Sequence, residues 1–251
     1  MSGPARPQTR DSTRYLELPL SFDAAPLQAE LTQMLATEWI DHYNTTAYAS
    51  GWQCIPLRSV GGRLDHIIAL DGDDYAPTVV LERSPQFQRV LAGFDCALQS
   101  VRLMSLAPGA RILPHRDPGT GFEDGLARLH VPILTRPEVV FTIDGEDVHF
   151  SQGGTWYLNA NCEHAVVNDS TESRVHLMLD CVPNAWLEAL FARAGYVAPP
   201  APHYGDPNIN DANVGEVIAS LRAGGGAGAL LLAERLGALA RSARSTGLPP
   251  P

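Results

Sequence analysis

His115 and Asp117 stand two residues apart in the chain. On an extended backbone such residues project to one side, so an imidazole and a carboxylate can reach the same ion. A second imidazole, His164, follows 49 residues later. Two neutral imidazoles and one carboxylate on one face of an octahedron leave three positions open, the ligand set of non-haem iron(II) oxygenases. Two open positions suit a chelating 2-oxo acid and the third suits dioxygen (O2). Arg174 comes ten residues after His164 and opens a run in which Arg174, His176, Met178 and Asp180 alternate with Val175, Leu177 and Leu179. An arginine at the mouth of an otherwise apolar barrel is costly without an anion. A dicarboxylate co-substrate supplies that anion through a charge-assisted bond. The run Arg128–Ile133 repeats the pattern, with Arg128 and His130 facing one way and Leu129, Val131 and Ile133 the other. An H-x-D pair alone is a weak signal; its coincidence with His164, Arg174 and these two strands carries the weight.

The elements that would position these residues follow from periodicity. Between Val101 and Cys181 short β-rich runs alternate with turn residues: Val101–Leu106, Arg128–Leu134, Val139–Ile143, Val148–Phe150, Thr155–Leu158, Ala165–Val167 and Arg174–Cys181. Such spacing predicts a β-sandwich or barrel, and Asp144-Gly145 between apolar runs predicts a hairpin. Apolar residues at helical spacing (Leu27, Leu31, Met34, Leu35, Trp39) predict a helix from Pro26 to Tyr43, and Ser84–Phe94 and Asn184–Gly195 predict two more. Residues 1–14 are expected to be disordered, residues 15–198 to form the β domain with its N-terminal helices, and residues 199–251 to be a Pro-rich linker with a helical extension. Within that extension helices are expected at Val214–Leu221 and Ala229–Ser242.

Composition narrows the function classes. The 251 residues carry 28 acidic and 18 basic side chains, a formal charge of −10, which argues against a nucleic-acid face. The N-terminus lacks the apolar run of a signal peptide, and the apolar stretch 228–240 is too short to span a bilayer. Cys54, Cys96, Cys162 and Cys181 are widely spaced and are expected to be free thiols. The chain is therefore read as cytoplasmic, with no membrane partner, and with the C-terminal helices offering a surface for homo-oligomer formation.

The motifs L-A-P-G-A-R-I-L-P-H-R-D at 106–117, R-L-H-V-P-I at 128–133, G-G-T-W-Y-L at 153–158, H-A-V-V-N at 164–168 and R-V-H-L-M-L-D at 174–180 occur in order. Together they resemble the aspartyl/asparaginyl β-hydroxylase family of double-stranded β-helix oxygenases, including the bacterial proline cis-4-hydroxylases. The resemblance implies a mainly β fold with flanking helices around a jelly-roll, cupin-like core. It implies Fe(II) on His115, Asp117 and His164, with the distal carboxylate of 2-oxoglutarate on Arg174. His130 would help hold the co-substrate, and Arg128 would lie near it or near the substrate's carboxylate. The animal enzymes that name the family carry glycine where this chain has Asp117, which places this sequence nearer the bacterial small-molecule branch. The implied reaction couples decarboxylation of 2-oxoglutarate by O2 to hydroxylation of an unactivated carbon of an amino acid, free or within a peptide.

Arg58, Arg102, Arg116 and Arg128 are candidates for a substrate carboxylate, and Trp156 for the pocket wall or the core. Trp52 and Tyr48 fit either a lid or ordinary loop packing. His42, His66, His149 and His203 lack ligand-like partners and read as structural or surface residues. Two rivals stay open: a cupin-like isomerase or lyase using the same ligands, and a non-catalytic 2-oxoglutarate-binding module. The first gives no reason for Arg174; the second predicts binding without turnover.

Overall fold

The structure is a computed structural model describing residues 12–34, 36–67, 74–200, 202–206 and 208–245. In chain order the strands are β1 (Tyr15–Ser21), β2 (Ile40–Asp41), β3 (Trp52–Val60), β4 (Tyr75–Pro77), β5 (Leu98–Leu106), β6 (Arg111–His115), β7 (Ala127–Leu134), β8 (Val139–Ile143), β9 (Glu146–Val148), β10 (Gly154–Leu158), β11 (His164–Asn168) and β12 (Arg174–Cys181). The helices are α1 (Ala24–Leu31), α2 (Val79–Glu82), α3 (Pro85–Leu91), α4 (Ala185–Arg193), α5 (Val214–Gly224) and α6 (Ala227–Ser245).

The larger sheet runs β1-β10-β7-β12-β5-β3-β2 with β4 on β3, and the smaller runs β6-β11-β8-β9. From β5 onward the chain passes back and forth between the sheets, which makes the core a double-stranded β-helix. The larger sheet is buried on both faces. Leu129, Val131, Ile133, Val175, Leu177 and Leu179 turn to a core closed by Leu27, Phe87, Val90, Leu187 and Phe191 from the helices. Met104, Leu106 and Met178 meet Ile112, Phe141, Ile143 and Val166 of the smaller sheet. The alternation on β7 and β12 thus separates an apolar helix-facing side from a polar side between the sheets.

Local chemistry sets the boundaries. Asp144 (φ 45°) and Gly145 (φ 77°) form the two-residue turn between β8 and β9, with Ile143 opposite Glu146, as the sequence predicts. Asn184 caps α4 by accepting from the Leu187 N–H at 3.0 Å. Gly153 (φ 75°) sits so close to the Phe22 carbonyl that a Cβ would lie 2.5 Å from it.

The helix expected over Pro26–Tyr43 is corrected. It begins at the Asp23 cap and ends at Leu31, where the Gln33 and Met34 amides bond Glu30 and Leu31 carbonyls three residues back. Ile40 and Asp41 are pulled into the sheet opposite Cys54 and Gln53; Leu35 lies outside the described residues. Strands β1 to β4 and β6 were not expected from periodicity, and β3 carries Trp52 out of the loop assigned to it. Of the N-terminal stretch expected to be disordered, Thr13 bonds the Val197 carbonyl and Arg14 pairs with Glu146 at 2.8 Å; residues 1–11 lie outside the described residues.

Residues 199–251 form a second compact unit, in which Tyr204, Val214, Leu236 and Ala240 share a small core of their own. The four cysteines are free. No helix among the described residues is long and apolar enough to cross a membrane.

Candidate metal centre between the sheets

Strands β6 and β11 pair antiparallel with His115 directly opposite His164. Opposed side chains on one face of a ladder are near neighbours, and the two ring centroids lie 4.3 Å apart. Asp117 follows β6 and is fixed by its own backbone: its N–H donates to Ala160 O at 2.8 Å, and its carbonyl accepts from the Thr120 hydroxyl at 2.6 Å. One ligand atom from each of His115, Asp117 and His164 lies within 4.8 Å of the other two.

The histidines are oriented alike. His115 Nδ1 lies 2.8 Å from Leu113 O and His164 Nδ1 lies 3.0 Å from Cys162 O, each the carbonyl two residues back. A carbonyl can only accept, so both Nδ1 atoms carry the proton and both Nε2 lone pairs are free to meet a cation. Burial lowers the His164 pKa to about 4, Cys162 O notwithstanding, which keeps the ring a neutral ligand. Asp117 Oδ2 accepts from Arg128 Nη1 at 2.5 Å, leaving the carboxylate oriented by a cation behind it.

Arg128 is the hinge of a buried charge network. Its Nε and Nη2 donate to Asp180 at 2.8 and 3.2 Å, and Arg102 Nη2 donates to the same carboxylate at 3.3 Å. Burial works against the charges on Arg128 and Asp180, but their mutual attraction outweighs it: the Arg128 pKa is raised and the Asp180 pKa lowered. Arg128 therefore lines the pocket with its donors already engaged by Asp117 and Asp180.

Arg174 differs. It is 2% exposed, and so buried rather than at a mouth. Its guanidinium carbon lies 5.5 Å from the Phe141 ring centroid, its Nε has no partner among the described residues, and its one bond is a long 3.5 Å contact to Met104 O. Burial without an anion lowers its pKa to about 9. Both ring nitrogens of His130 and of His176 are likewise buried and unpartnered. Burial, reinforced by Arg174, holds both pKa values well below the ordinary histidine range. Arg174 and His130 line the pocket beside the ligand cluster with buried, unpartnered nitrogens that an anion seated there would satisfy.

The pocket between the sheets gathers His115, Asp117, His164, Arg128, His130, Arg174 and Arg102, with Met104, Phe141 and Leu158 as apolar wall. It does not gather every candidate. Arg58 is spent on the carbonyls of Leu98 and Tyr75 at 2.8 and 2.6 Å. Arg116 is exposed and donates to Asn161 O. Trp156 stacks on Phe150 at 4.8 Å and donates to Ser151 Oγ, away from the lining. His42 is the reverse case, read as structural or surface but lining the pocket stacked on Trp52 at 3.6 Å. Its position had no signature because strand β2, which precedes it, is two residues long. Asp180 also went unassigned, although it shares the face of Arg174 on β12.

Two facing antiparallel sheets with a His–Asp–His cluster between them define a double-stranded β-helix protein with a candidate metal centre. Residues 22–183 match the model of the aspartyl/asparaginyl β-hydroxylase family, and the chain belongs to that family. It is 27% identical over 181 residues to the L-proline cis-4-hydroxylase of Rhizobium meliloti (strain 1021). That match covers 71% of this chain and 64% of the relative, so the chain spans just under two thirds of the relative's length. Among solved structures it is similar to a 2OG-Fe(II) oxygenase family oxidoreductase from Burkholderia pseudomallei (TM-score 0.47, 12% identity, 67% of this chain and 84% of the other). It is also similar to a predicted oxalate decarboxylase from Thermotoga maritima (TM-score 0.34, 14% identity, 58% and 90%).

Proposed function

We propose that the protein is an Fe(II)- and 2-oxoglutarate-dependent dioxygenase that hydroxylates an unactivated carbon of an amino acid or of an amino-acid residue in a peptide. The observation that carries this reading is the pairing of a His–Asp–His cluster with a buried Arg174 whose Nε has no partner among the described residues. Family membership and the similarity to a proline hydroxylase support it. Free thiols support a cytoplasmic setting.

In this reading His115 Nε2, His164 Nε2 and an Asp117 oxygen hold the iron. Arg174 takes the distal carboxylate of 2-oxoglutarate, and His130 supplies a further polar contact. Bound there, iron and co-substrate would use O2 to yield succinate, carbon dioxide and a hydroxylated product. The chain's own residues orient and shield. Leu113 O and Cys162 O fix the imidazole tautomers, Arg128 aims Asp117, and Met104, Phe141, Leu158 and Val166 keep water from the reacting carbon. No general base is required, and the buried neutral histidines offer none.

The test is an anaerobic titration with Fe(II) and 2-oxoglutarate, following the weak visible charge-transfer band of the chelate. Wild-type protein should form the band and His164→Ala should not. Arg174→Ala should need about 10–100 times more co-substrate, the loss of a charge-assisted bond of roughly 1.5–3 kcal/mol. Metal binding without the band would instead favour the cupin-like isomerase or lyase reading.

A further inference from the structure

Two of the four thiols meet at the C-terminal end of β12. Cys181 closes that strand, opposite Leu98 on β5 and Ala127 on β7. Cys96 stands two residues before Leu98, and residues two apart on an extended chain project to one side. The pairing continues past the start of β5: the Val182 N–H donates to Ala97 O at 2.9 Å, and the Asn184 side-chain amide donates to Asp95 O at 2.7 Å. Cys96 is thus held between two cross-links, and its side chain hydrogen-bonds that of Cys181. Both pack in the core beneath the helices, on the face of the larger sheet opposite the pocket. Cys54 and Cys162 belong to the other core, between the sheets.

The two sulfurs are suited to different steps. Cys181 is 0% exposed, and burial drives its thiol well above the ordinary cysteine range. Cys96 is partly exposed at a bend. The hydrogen bond from Cys181 lowers its pKa, outweighing burial and the neighbouring Asp95 charge. Thiolate, not thiol, attacks an oxidant. A reachable sulfur with thiolate character, touched from behind by a second sulfur, is the arrangement in which a sulfenic acid is resolved to a disulfide.

We propose that Cys96 and Cys181 are a modification site at which a peroxide converts two thiols into a reversible disulfide. The Cys96 sulfur attacks one peroxide oxygen and breaks the O–O bond. Cys96 becomes a sulfenic acid, and the other oxygen leaves as hydroxide, which takes up the proton that Cys96 released. The Cys181 sulfur then attacks the Cys96 sulfur. The S–S bond forms, the S–O bond breaks, and hydroxide departs with the Cys181 proton as water. Two thiols have lost two electrons and two protons, and one hydrogen peroxide has become two waters. Closing the sulfurs to a bond of about 2 Å falls to Cys96, because it lies at a bend outside β5 while Cys181 is fixed in the ladder. In a reducing compartment the pair rests as thiols and closes under a peroxide load. The metal centre takes no part, so the site stands apart from the oxygenase reading.

The experiment treats reduced full-length protein, kept free of iron by a chelator, with a small excess of hydrogen peroxide. Free thiols are then alkylated and unreduced peptides are mapped by mass. Folded protein should lose two of its four thiols, yield a peptide cross-linked through Cys96 and Cys181, and recover both thiols with dithiothreitol. Cys181→Ala should form no such cross-link, and dimedone, which traps sulfenic acids, should label Cys96 instead. Cys96→Ser alters a partly exposed position and should show neither the cross-link nor label on Cys181. Protein unfolded in urea before oxidation should scatter its pairings among the four cysteines. Four thiols surviving in folded protein, a cross-link to Cys54 or Cys162, or Cys96 carried to sulfinic acid with Cys181 untouched would each overturn the assignment. Label on Cys181 in Cys96→Ser, or the same pairing preference in urea, would overturn it too. Should Cys181→Ala not fold, the wild-type and Cys96→Ser maps decide the question alone.

Discussion

Asp117 and Arg128 show how one contact can govern a candidate metal centre. A carboxylate on a loop just past a strand end has two oxygens and several rotamers, and Arg128 selects among them from a position itself locked by Asp180. Lysine at 128 keeps the charge but is a point donor that cannot serve both carboxylates with a planar fork. Arg128→Lys is expected to lower Fe(II) affinity about 10- to 100-fold, the usual cost of disturbing the partner of a ligand. Equilibrium titration against a competing chelator would check this. At this scale the sequence was informative where chemistry and spacing coincide, as at His115, Asp117, His164 and Arg174. It was silent where a role depends on what another strand brings near. Arg128 reads as a substrate contact until Asp180 is seen beside it, and nothing in the spacing of His42 says that Trp52 lies under its ring.

Strand alternation positions the site more than any loop does. β7 and β12 each turn aliphatic residues to the helices and Arg128, His130 and Arg174 to the pocket, so a one-residue slip would exchange the two sets. The register of β12 is held in part by Asn168, whose buried amide donates to Leu106 O, Ala107 O and Glu172 O and accepts from Ser170. That bridge ties the ends of β5 and β11 to the turn leading into Arg174. Asn168→Ala is expected to cost about 2–3 kcal/mol, because it leaves several buried carbonyls short of a donor. It should also raise the 2-oxoglutarate requirement severalfold, as urea denaturation and co-substrate titration would measure. β7, β8, β10, β11 and β12 were legible because alternation and turn residues agree there, whereas the strand expected at Val148–Phe150 is instead β9 at Glu146–Val148, drawn toward the Asp144-Gly145 turn by pairing with β8. β6 was not, because Pro114 and the exposed Arg111 and Leu113 break the apolar pattern. The first helix was over-read because Met34 and Trp39 do pack on the core, but from a turn and a strand entry, not from one helical stripe.

The molecule as a whole carries four histidines that its fold keeps neutral. Burial lowers His42 to about 3 and His164 to about 4, and holds His130 and His176 well below the ordinary value. An unfolded chain takes up these protons near pH 6.5 while the folded chain refuses them. The unfolded state therefore binds more protons, and stability is present above that pH and is lost as pH falls toward about 4. Metal-free protein should lose about 1 kcal/mol per histidine between about pH 7 and about pH 5.5, and urea midpoints across that range would show it. The same neutrality keeps imidazole lone pairs available to a metal. The central claim, that this pocket couples 2-oxoglutarate to hydroxylation, is tested most directly by turnover under isotopically heavy O2, with mass spectrometry of both products. The account predicts succinate and a hydroxylated amino acid in equal amounts, with one heavy oxygen atom in the succinate. An amino acid returned unmodified while 2-oxoglutarate stays intact, in protein that binds both iron and co-substrate, would contradict it.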